Sequence, residues 1–417
     1  MQRILSSELS AHIDQRVTVA GWVHRRRELK SVSFLIVRDR AGLAQVVMPA
    51  GAELPPEETV VQVTGTVTAN DVAPGGFEVV DAAVDLLGDA AETLPFEIFR
   101  PSLTATMPTQ LDHAALSLRH ASRRDALRIT AAAVAGFRST LDGLGFTEIF
   151  TPKIVESATE SGANVFALDY FGRPAYLAQS PQFYKQVMVG VFERVYEVAP
   201  VFRAEPHDTT RHLAQYTSLD VELGFIDSHR DVMAVLRDVL AGVLDRVAPL
   251  IEVPPVPADI PSIHFVDALA IAGASPDEPD LSPADERSIG EWAVREHGSD
   301  FVFVEGYPMH PQGKRPFYTH PDLSRPGYSN GFDLLFRGIE LVTGGQRLHR
   351  YDDYVAALTA MSEPLESYRS YIDSFRLGFP PHGGFAIGLE RLVARLTGAA
   401  NVREVTAFPR DLHRLAP

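Results

Sequence analysis

The chain has 417 residues, a formal net charge of −16, 45% hydrophobic and 22% charged residues, and no cysteine. Disulfides and thiolate metal sites are therefore excluded, and no apolar run approaches the roughly 18–20 residues that a membrane helix needs. The opening MQRILSSELSAHID lacks the apolar centre of a signal peptide, and the length exceeds that of an ordinary domain, so a cytoplasmic protein of two domains is expected.

The first stretch is basic although the chain is acidic. Residues 1–45 hold eight Lys/Arg against four Asp/Glu, and residues 46–90 hold no Lys/Arg against eight Asp/Glu. The acidic total argues against a surface coated by nucleic acid, but this segregation leaves room for one local polyanion-binding face. Arg25, Arg26, Arg27 and Lys30 form its centre, with His24 before them and Phe34 behind. Across residues 1–90, five short runs are rich in Val, Ile, Thr and Phe: RVTVAGWVHR, SFLIVRD, AQVVMPA, TVVQVTGTVTAN and GFEVVDAAVDLL. Turn residues separate them, which predicts five strands in a small β-barrel such as an OB-fold. Residues 91–115 are polar and contain proline, as a connector does.

Helical spacing begins beyond the connector. In residues 122–145, Leu127, Val134, Phe137, Leu141 and Leu144 follow a helical period, and a glycine ends the run. From residue 116 to 417 strands and helices mix without a βαβ rhythm, so an α+β domain around an antiparallel sheet is expected.

Four stretches of this second domain carry chemistry. Residues 178–193 read as a helix start, with Ser180 as N-cap and Pro181 as first residue. Gln182 and Lys185 then share a face. Lys185 is one of only four lysines beside 34 arginines, which suits a place where a compact ammonium fits and a planar guanidinium does not. A solvent-facing helix lysine would read the same way. In residues 196–225 two strands flank a polar loop. Arg203 and Glu205 alternate onto one face of the first, while Ser218, Asp220 and Glu222 share one face of the second. Arg211 and His212 lie in the loop. Such a set fits an anionic ligand that also bears an ammonium or a metal, although a solvated hairpin with surface ion pairs could carry it too.

In residues 329–350 a two-residue turn at Arg337–Gly338 sets Phe336 opposite Ile339 and Leu335 opposite Glu340. Asp333 and Glu340 then lie diagonally on one side. Neighbouring carboxylates want a cation, and Mg²⁺ bridging phosphates is the physical candidate. Arg347 follows, able to grip a carboxylate bidentately. Residues 380–396 combine a Gly-rich entry, a short strand and a helix with Arg391 in its first turn, a combination that phosphate sites use. Residues 254–300 read as an irregular segment followed by a helix, and no role follows from them.

The order of these stretches is more telling than any one of them. GFTEIFTPKIVESATESGANVF (145–166), VFRAEPHDTTRH (201–212) and GGFAIGLERL (383–392) resemble motifs 1, 2 and 3 of class II aminoacyl-tRNA synthetases. With the barrel in front, the chain is similar to the aspartyl, asparaginyl and lysyl subgroup. QSPQFYKQ, SLDVEL and GGQRLHR look like the aspartyl member, and the ending FPRDLHRLAP like its compact archaeal-type form. The resemblance implies an OB-fold anticodon-binding domain over residues 1–90, a hinge over 91–115 and a catalytic domain over 116–417. It also implies roles. Arg203, Glu205, Arg211, His212, Glu340 and Arg391 would hold ATP. Asp333 and Glu340 would carry Mg²⁺. Lys185 and Arg347 would clamp the side-chain carboxylate of L-aspartate, with Glu160, Ser180, Gln182 and Asp220 around the rest of it. Pro152 would sit in a motif 1 homodimer interface.

The resemblance bears on tRNA as well. Phe34 and Gln45 match the family's stacking and base-reading positions for the central anticodon base, with Arg26 nearby. Discriminating enzymes of the archaeal type resemble one another in a Trp where His24 stands and a Lys in the loop matching APGGFE. His24 and Pro74 instead resemble the non-discriminating kind, which charges tRNA(Asp) and also tRNA(Asn) and leaves conversion of the latter to an amidotransferase. Within the family, a discriminating aspartyl enzyme and an asparaginyl enzyme remain the alternatives.

Overall fold

Valines at alternate positions form the first core. Val17, Val19 and Val23, then Leu35 and Val37, then Val61 and Val63, all point inward and are almost fully buried. The computed structural model describes residues 2–89, 93–157, 164–206 and 208–416. It divides into two units, Met1–His120 and Ala121–Pro417.

In the first unit, strand Arg16–Glu28 pairs antiparallel with Val32–Arg38 on one side and with Val60–Ala69 on the other. Leu43–Pro49 joins Val32–Arg38 antiparallel and Phe77–Gly88 parallel, and Phe77–Gly88 returns to Val60–Ala69. The circuit is closed, so these five strands leave no open edge among themselves. A two-residue strand, Arg3–Ile4, adds to Arg16–Glu28 in parallel. The connector and two short helices, Met107–Asp112 and Ala114–Ser117, group with this unit.

The second unit is built on eight strands in the order Ser262–His264, Phe301–Glu305, Gly331–Phe336, Ile339–Gln346, His382–Gly388, Gln215–Gly224, Arg194–Phe202 and Thr147–Glu148. Every central pairing is antiparallel, and only the two edge strands run parallel to their neighbours. Helices Ala121–Gly143 and His229–Val247 share one large apolar core with the sheet. The expected helix is present, but its buried stripe is Ala126, Ile129, Ala133, Phe137 and Leu141, with Leu127 and Val134 at its margins. Small residues at the centre let the two helices approach closely, which a sequence pattern weighted toward large side chains does not reveal.

Two local expectations shift. The first motif 2 strand stops at Phe202, so Arg203 and Glu205 stand in the loop and not on a strand face. Arg203 N–H still reaches Ala214 O at 2.9 Å, but Pro206 has no N–H to continue a ladder. The helix after Ser180 begins at Gln182, with Pro181 in the N-cap place, and Ser180 Oγ accepts from Gln182 N–H at 3.2 Å. The turn at Arg337–Gly338 forms as expected, both residues having positive φ, with Leu335 opposite Glu340; an irregularity at Leu334/Leu335 then sets Asp333 opposite Thr343.

Phe137 is fully buried and meets Tyr196 edge-on at 5.7 Å between ring centroids. Phe137→Ala should destabilise the second unit by about 3–5 kcal/mol, read as a lower denaturant midpoint for that unit's transition with the barrel's transition unmoved.

Candidate active site

A cluster of four charges lies inside the sheet. Lys185, from helix Gln182–Phe192, is 1% exposed. Its Nζ lies 2.9 Å from Asp220 Oδ1 and 3.3 Å from Glu222 Oε2, and within 3.4 Å of the carbonyl oxygens of Val221 and Phe385. Arg347 Nε donates to Glu222 Oε1 at 3.0 Å and its Nη2 to Gly384 O at 3.0 Å. Ser218 Oγ donates to Asp220 Oδ2 at 2.5 Å. Period two on strand Gln215–Gly224 puts Ser218, Asp220 and Glu222 on one face, as expected. A ball of oxygen acceptors around Nζ suits an ammonium and would mismatch a planar fork. Gly384 is required where it stands, because a Cβ there would run into Glu222 Oε2 and the carbonyl of Val221.

Two cations against two carboxylates leave this cluster neutral, which is what burial demands. Burial by itself would raise Glu222, but Arg347 and Lys185 beside it outweigh that and hold its carboxyl below the usual range. Gln182 is buried too, and its Nε2 has no hydrogen-bond partner among the described residues. Behind the cluster, Gln186 Oε1 meets Tyr354 Oη at 3.0 Å, Tyr371 Oη at 2.7 Å and His382 Nε2 at 3.1 Å.

A cleft of about 180 Å³ opens beside the cluster. Of the residues expected around ATP, it is lined by Arg203, Glu205, Arg211, His212, Glu340 and Arg391, and also by Ser180 and Ser218. Arg391, at the start of helix Leu389–Thr397, donates from Nη1 to Glu340 O at 2.7 Å. Arg203 lies over the Tyr216 ring at 5.7 Å. Partial burial and the charge of Asp333 both disfavour the ionised form of Glu340 and raise its carboxyl. Asp333 is held by Arg315 through two hydrogen bonds of 3.2 and 2.8 Å. Glu160 lies outside the described residues.

Sequence reasoning missed several members of the site. Glu222 was visible on its strand face, but nothing indicated that both cations would converge on it. Tyr216 and Glu390 line the cleft from strands and helix already recognised. Arg315 and Glu286 come from distant segments that carry no local signal; Glu286 Oε2 accepts from Arg211 Nη1 at 3.3 Å and from Glu340 N–H at 2.9 Å.

In the first unit, Phe34 is half-buried and pairs with Arg27 and Val47 on the outer face, with Leu35 and Val37 inward. Gln45 opposes Ile36 on that face, and its Nε2 donates to Glu78 Oε2 at 2.9 Å. Arg26 pairs with Leu35 and so leaves its strand on the opposite side from Phe34, toward Glu57 at 3.2 Å. His24 is the extra residue of a β-bulge, since Val23 opposes Val37 and Arg25 opposes Ile36. It lines a cavity of about 670 Å³ with Arg26 and Glu57. Arg38 Nη1 lies 3.1 Å from its Nδ1; arginine only donates, so Nδ1 accepts and the ring proton sits on Nε2. Pro74 lies elsewhere, in a turn beside a separate hollow with Ser6 and Leu43. Pro152 is exposed, as are Phe150 and Ile154 next to it.

An antiparallel sheet whose central strands hold buried charge beside an arginine-lined cleft, following a five-stranded barrel, defines a class II aminoacyl-tRNA synthetase with an OB-fold. Residues 106–412 match the family described as tRNA synthetases class II (D, K and N), and residues 17–86 match the OB-fold nucleic acid binding domain. The chain is 47% identical to an aspartate–tRNA(Asp/Asn) ligase of Deinococcus radiodurans, over 100% of this chain and 99% of that protein. It is 46% identical to one of Thermus thermophilus over the whole of both. Among solved structures it superposes with TM-score 0.92 on asparaginyl-tRNA synthetase from Pyrococcus horikoshii complexed with asparaginyl-adenylate, at 28% identity and 100% of both chains. The chain belongs to the aspartate–tRNA ligase family of the class II synthetases. No helix among the described residues is long and apolar enough to cross a membrane.

Burial lowers His382 to about 4 from an ordinary 6.5. A depressed value means that the unfolded chain takes up the proton first as pH falls, so this stability is complete above about 6.5 and is lost toward 4. Glu222, also depressed, adds a loss of the same sign below its ordinary 4.5. The His382 contribution should therefore disappear between pH 6.5 and 4, so that His382→Gln should lose less melting temperature than the parent protein across that window in a thermal-melt series.

Proposed function

We propose that the chain condenses L-aspartate with ATP to aspartyl-adenylate and transfers the aspartyl group to the 3′ end of tRNA(Asp) and of tRNA(Asn). The observation that carries the amino-acid choice is the neutral buried cluster of Lys185, Arg347, Asp220 and Glu222. The side chain and ammonium of aspartate bring one negative and one positive charge, so the cluster stays neutral when they enter. Asparagine brings the ammonium alone and leaves a buried charge uncompensated. An unpaired buried charge costs ~2–5 kcal/mol, roughly 30- to several-thousand-fold in affinity. The fold does not choose between the two substrates, as the likeness to an asparaginyl enzyme makes plain.

In this reading Lys185 and Arg347 take the β-carboxylate, while Gln182, Asp220, Ser180 and Glu160 surround the rest of the amino acid. The α-carboxylate is already ionised at neutral pH and attacks the α-phosphorus itself, so no general base is needed. Arg203 holds the α-phosphate and stabilises its developing charge, Arg391 and Arg211 hold the outer phosphates, and Glu205 and His212 frame the nucleotide. Pyrophosphate leaves, and a ribose hydroxyl of the tRNA end then displaces AMP from the adenylate. Glu340 and Asp333 would hold Mg²⁺, with Arg315 already engaging Asp333 in part, and a bound ion would supply charge neutralisation at the phosphates.

On the tRNA side, Phe34 stacks a base and Gln45 reads one, while the arginines hold phosphate. His24, re-aimed by its bulge, fills less space than a tryptophan and relaxes the check on the third anticodon base. An amidotransferase then completes the asparagine route. The exposed apolar surface around Phe150, Pro152 and Ile154 serves a homodimer.

Aspartylation of tRNA(Asp) and tRNA(Asn) transcripts in parallel should proceed with both. Rejection of the tRNA(Asn) transcript would leave a discriminating enzyme, and pyrophosphate exchange with asparagine in place of aspartate would reverse the amino-acid choice. His24→Trp should lower charging of the tRNA(Asn) transcript by roughly tenfold, the scale of one lost base contact, and leave pyrophosphate exchange unchanged. Lys185→Met should reduce aspartate-dependent pyrophosphate exchange by roughly 30-fold or more.

A further inference from the structure

Glu286 stands in the segment whose sequence suggested no role. It lies in the first turn of helix Pro283–His297, where Ser282 and Asp285 already form the capping box. Glu286 is thus not needed to cap the helix, yet it is buried, at 5% exposure. One oxygen, Oε2, accepts two hydrogen bonds: from Arg211 Nη1 at 3.3 Å and from the backbone N–H of Glu340 at 2.9 Å. Arg211 belongs to the polar loop and Glu340 to the hairpin strand, and both line the cleft. Helix Pro283–His297 is itself fixed against that hairpin. Gly290 packs on Gly338 so tightly that a Cβ on Gly290 would lie 2.6 Å from the Gly338 backbone.

Carboxylates crowd this corner. Among the described residues, the side chain that meets Glu286 through a hydrogen bond is that of Arg211. Among the described residues the Arg211 guanidinium makes one hydrogen bond, from Nη1, which leaves its other donors for a ligand's oxygens.

We propose that Glu286 is a positioning residue for ATP: it holds Arg211 extended across the cleft, in register with the Glu340 strand, before the triphosphate arrives. The proposal rests on the reading of this cleft as the ATP site. Without Glu286, Arg211 is a long side chain on a loop, and its rotamer freedom must be lost on each binding event. With it, that ordering precedes the ligand. The helix of residues 283–297 thereby gains a function: it carries the anchor for a motif 2 arginine.

The test is aspartate-dependent pyrophosphate exchange by the full-length protein, with KM for ATP and for aspartate measured separately. Glu286→Gln keeps the shape and an acceptor for Glu340 N–H but loses the charge that holds Arg211. It should raise KM for ATP about five- to tenfold, the scale of one charge-assisted hydrogen bond, with KM for aspartate unchanged. Glu286→Ala, which loses both bonds, should be more severe. In an Arg211→Ala background, Glu286→Gln should add nothing further to KM for ATP. An unchanged KM for ATP in Glu286→Gln, with Arg211→Ala impaired, overturns the proposal alone; so does an equal effect of Glu286→Gln with and without Arg211. An unchanged KM for ATP in Arg211→Ala overturns the reading of the cleft and the proposal with it. Should Glu286→Gln melt early, Glu286→Asp, whose carboxylate is one methylene shorter, permits the same comparison.

Discussion

Charge neutrality inside a dry sheet is the constraint on which the second unit depends. Desolvating Lys185, Arg347, Asp220 and Glu222 together is tolerable because the four sum to zero and share hydrogen bonds. Removing any one would leave a buried charge without its partner. Much of the surrounding sequence follows from this. Gly384 must lack a side chain to admit the Glu222 carboxylate. Ser218 supplies a hydroxyl to Asp220, and backbone carbonyls of Val221 and Phe385 approach the lysine ammonium.

Antiparallel pairing is what makes such a cluster possible. Strands Gln215–Gly224, His382–Gly388 and Ile339–Gln346 lie side by side, so residues far apart in the chain present functional groups to one face. The helix carrying Lys185 reaches the same cluster from outside the sheet, and the helix carrying Arg391 follows directly from His382–Gly388. The β-bulge in the barrel is a smaller instance of the same logic. One extra residue in Arg16–Glu28 takes His24 out of the inward–outward alternation and turns it into a cavity, where Arg38 fixes its tautomer.

The legible parts of the site share one property: each was encoded within a short stretch. Period two placed Ser218, Asp220 and Glu222 together, the two-residue turn set Glu340 opposite Leu335, and the glycine-rich entry marked Arg391. Expectations that shifted did so at element ends. The strand ends at Phe202, ahead of Arg203, and Pro181 sets the helix start one residue later than a simple capping rule. Arg26 illustrates another limit, since it neighbours Phe34 through strand pairing yet faces the opposite side.

Sequence by itself determined the barrel followed by an α+β domain, the chemistry of most cleft residues and the family to which the chain belongs. Periodicity, turn residues and motif order are local, and a local pattern survives without knowledge of the fold. Tertiary structure alone decided that Glu222 receives both cations, that Arg315 engages Asp333, and that Glu286 bridges Arg211 and Glu340. Those are contacts between segments 18 to 125 residues apart. No spacing rule encodes them, because they exist only once the sheet has brought the charges out of water and compelled them to pair.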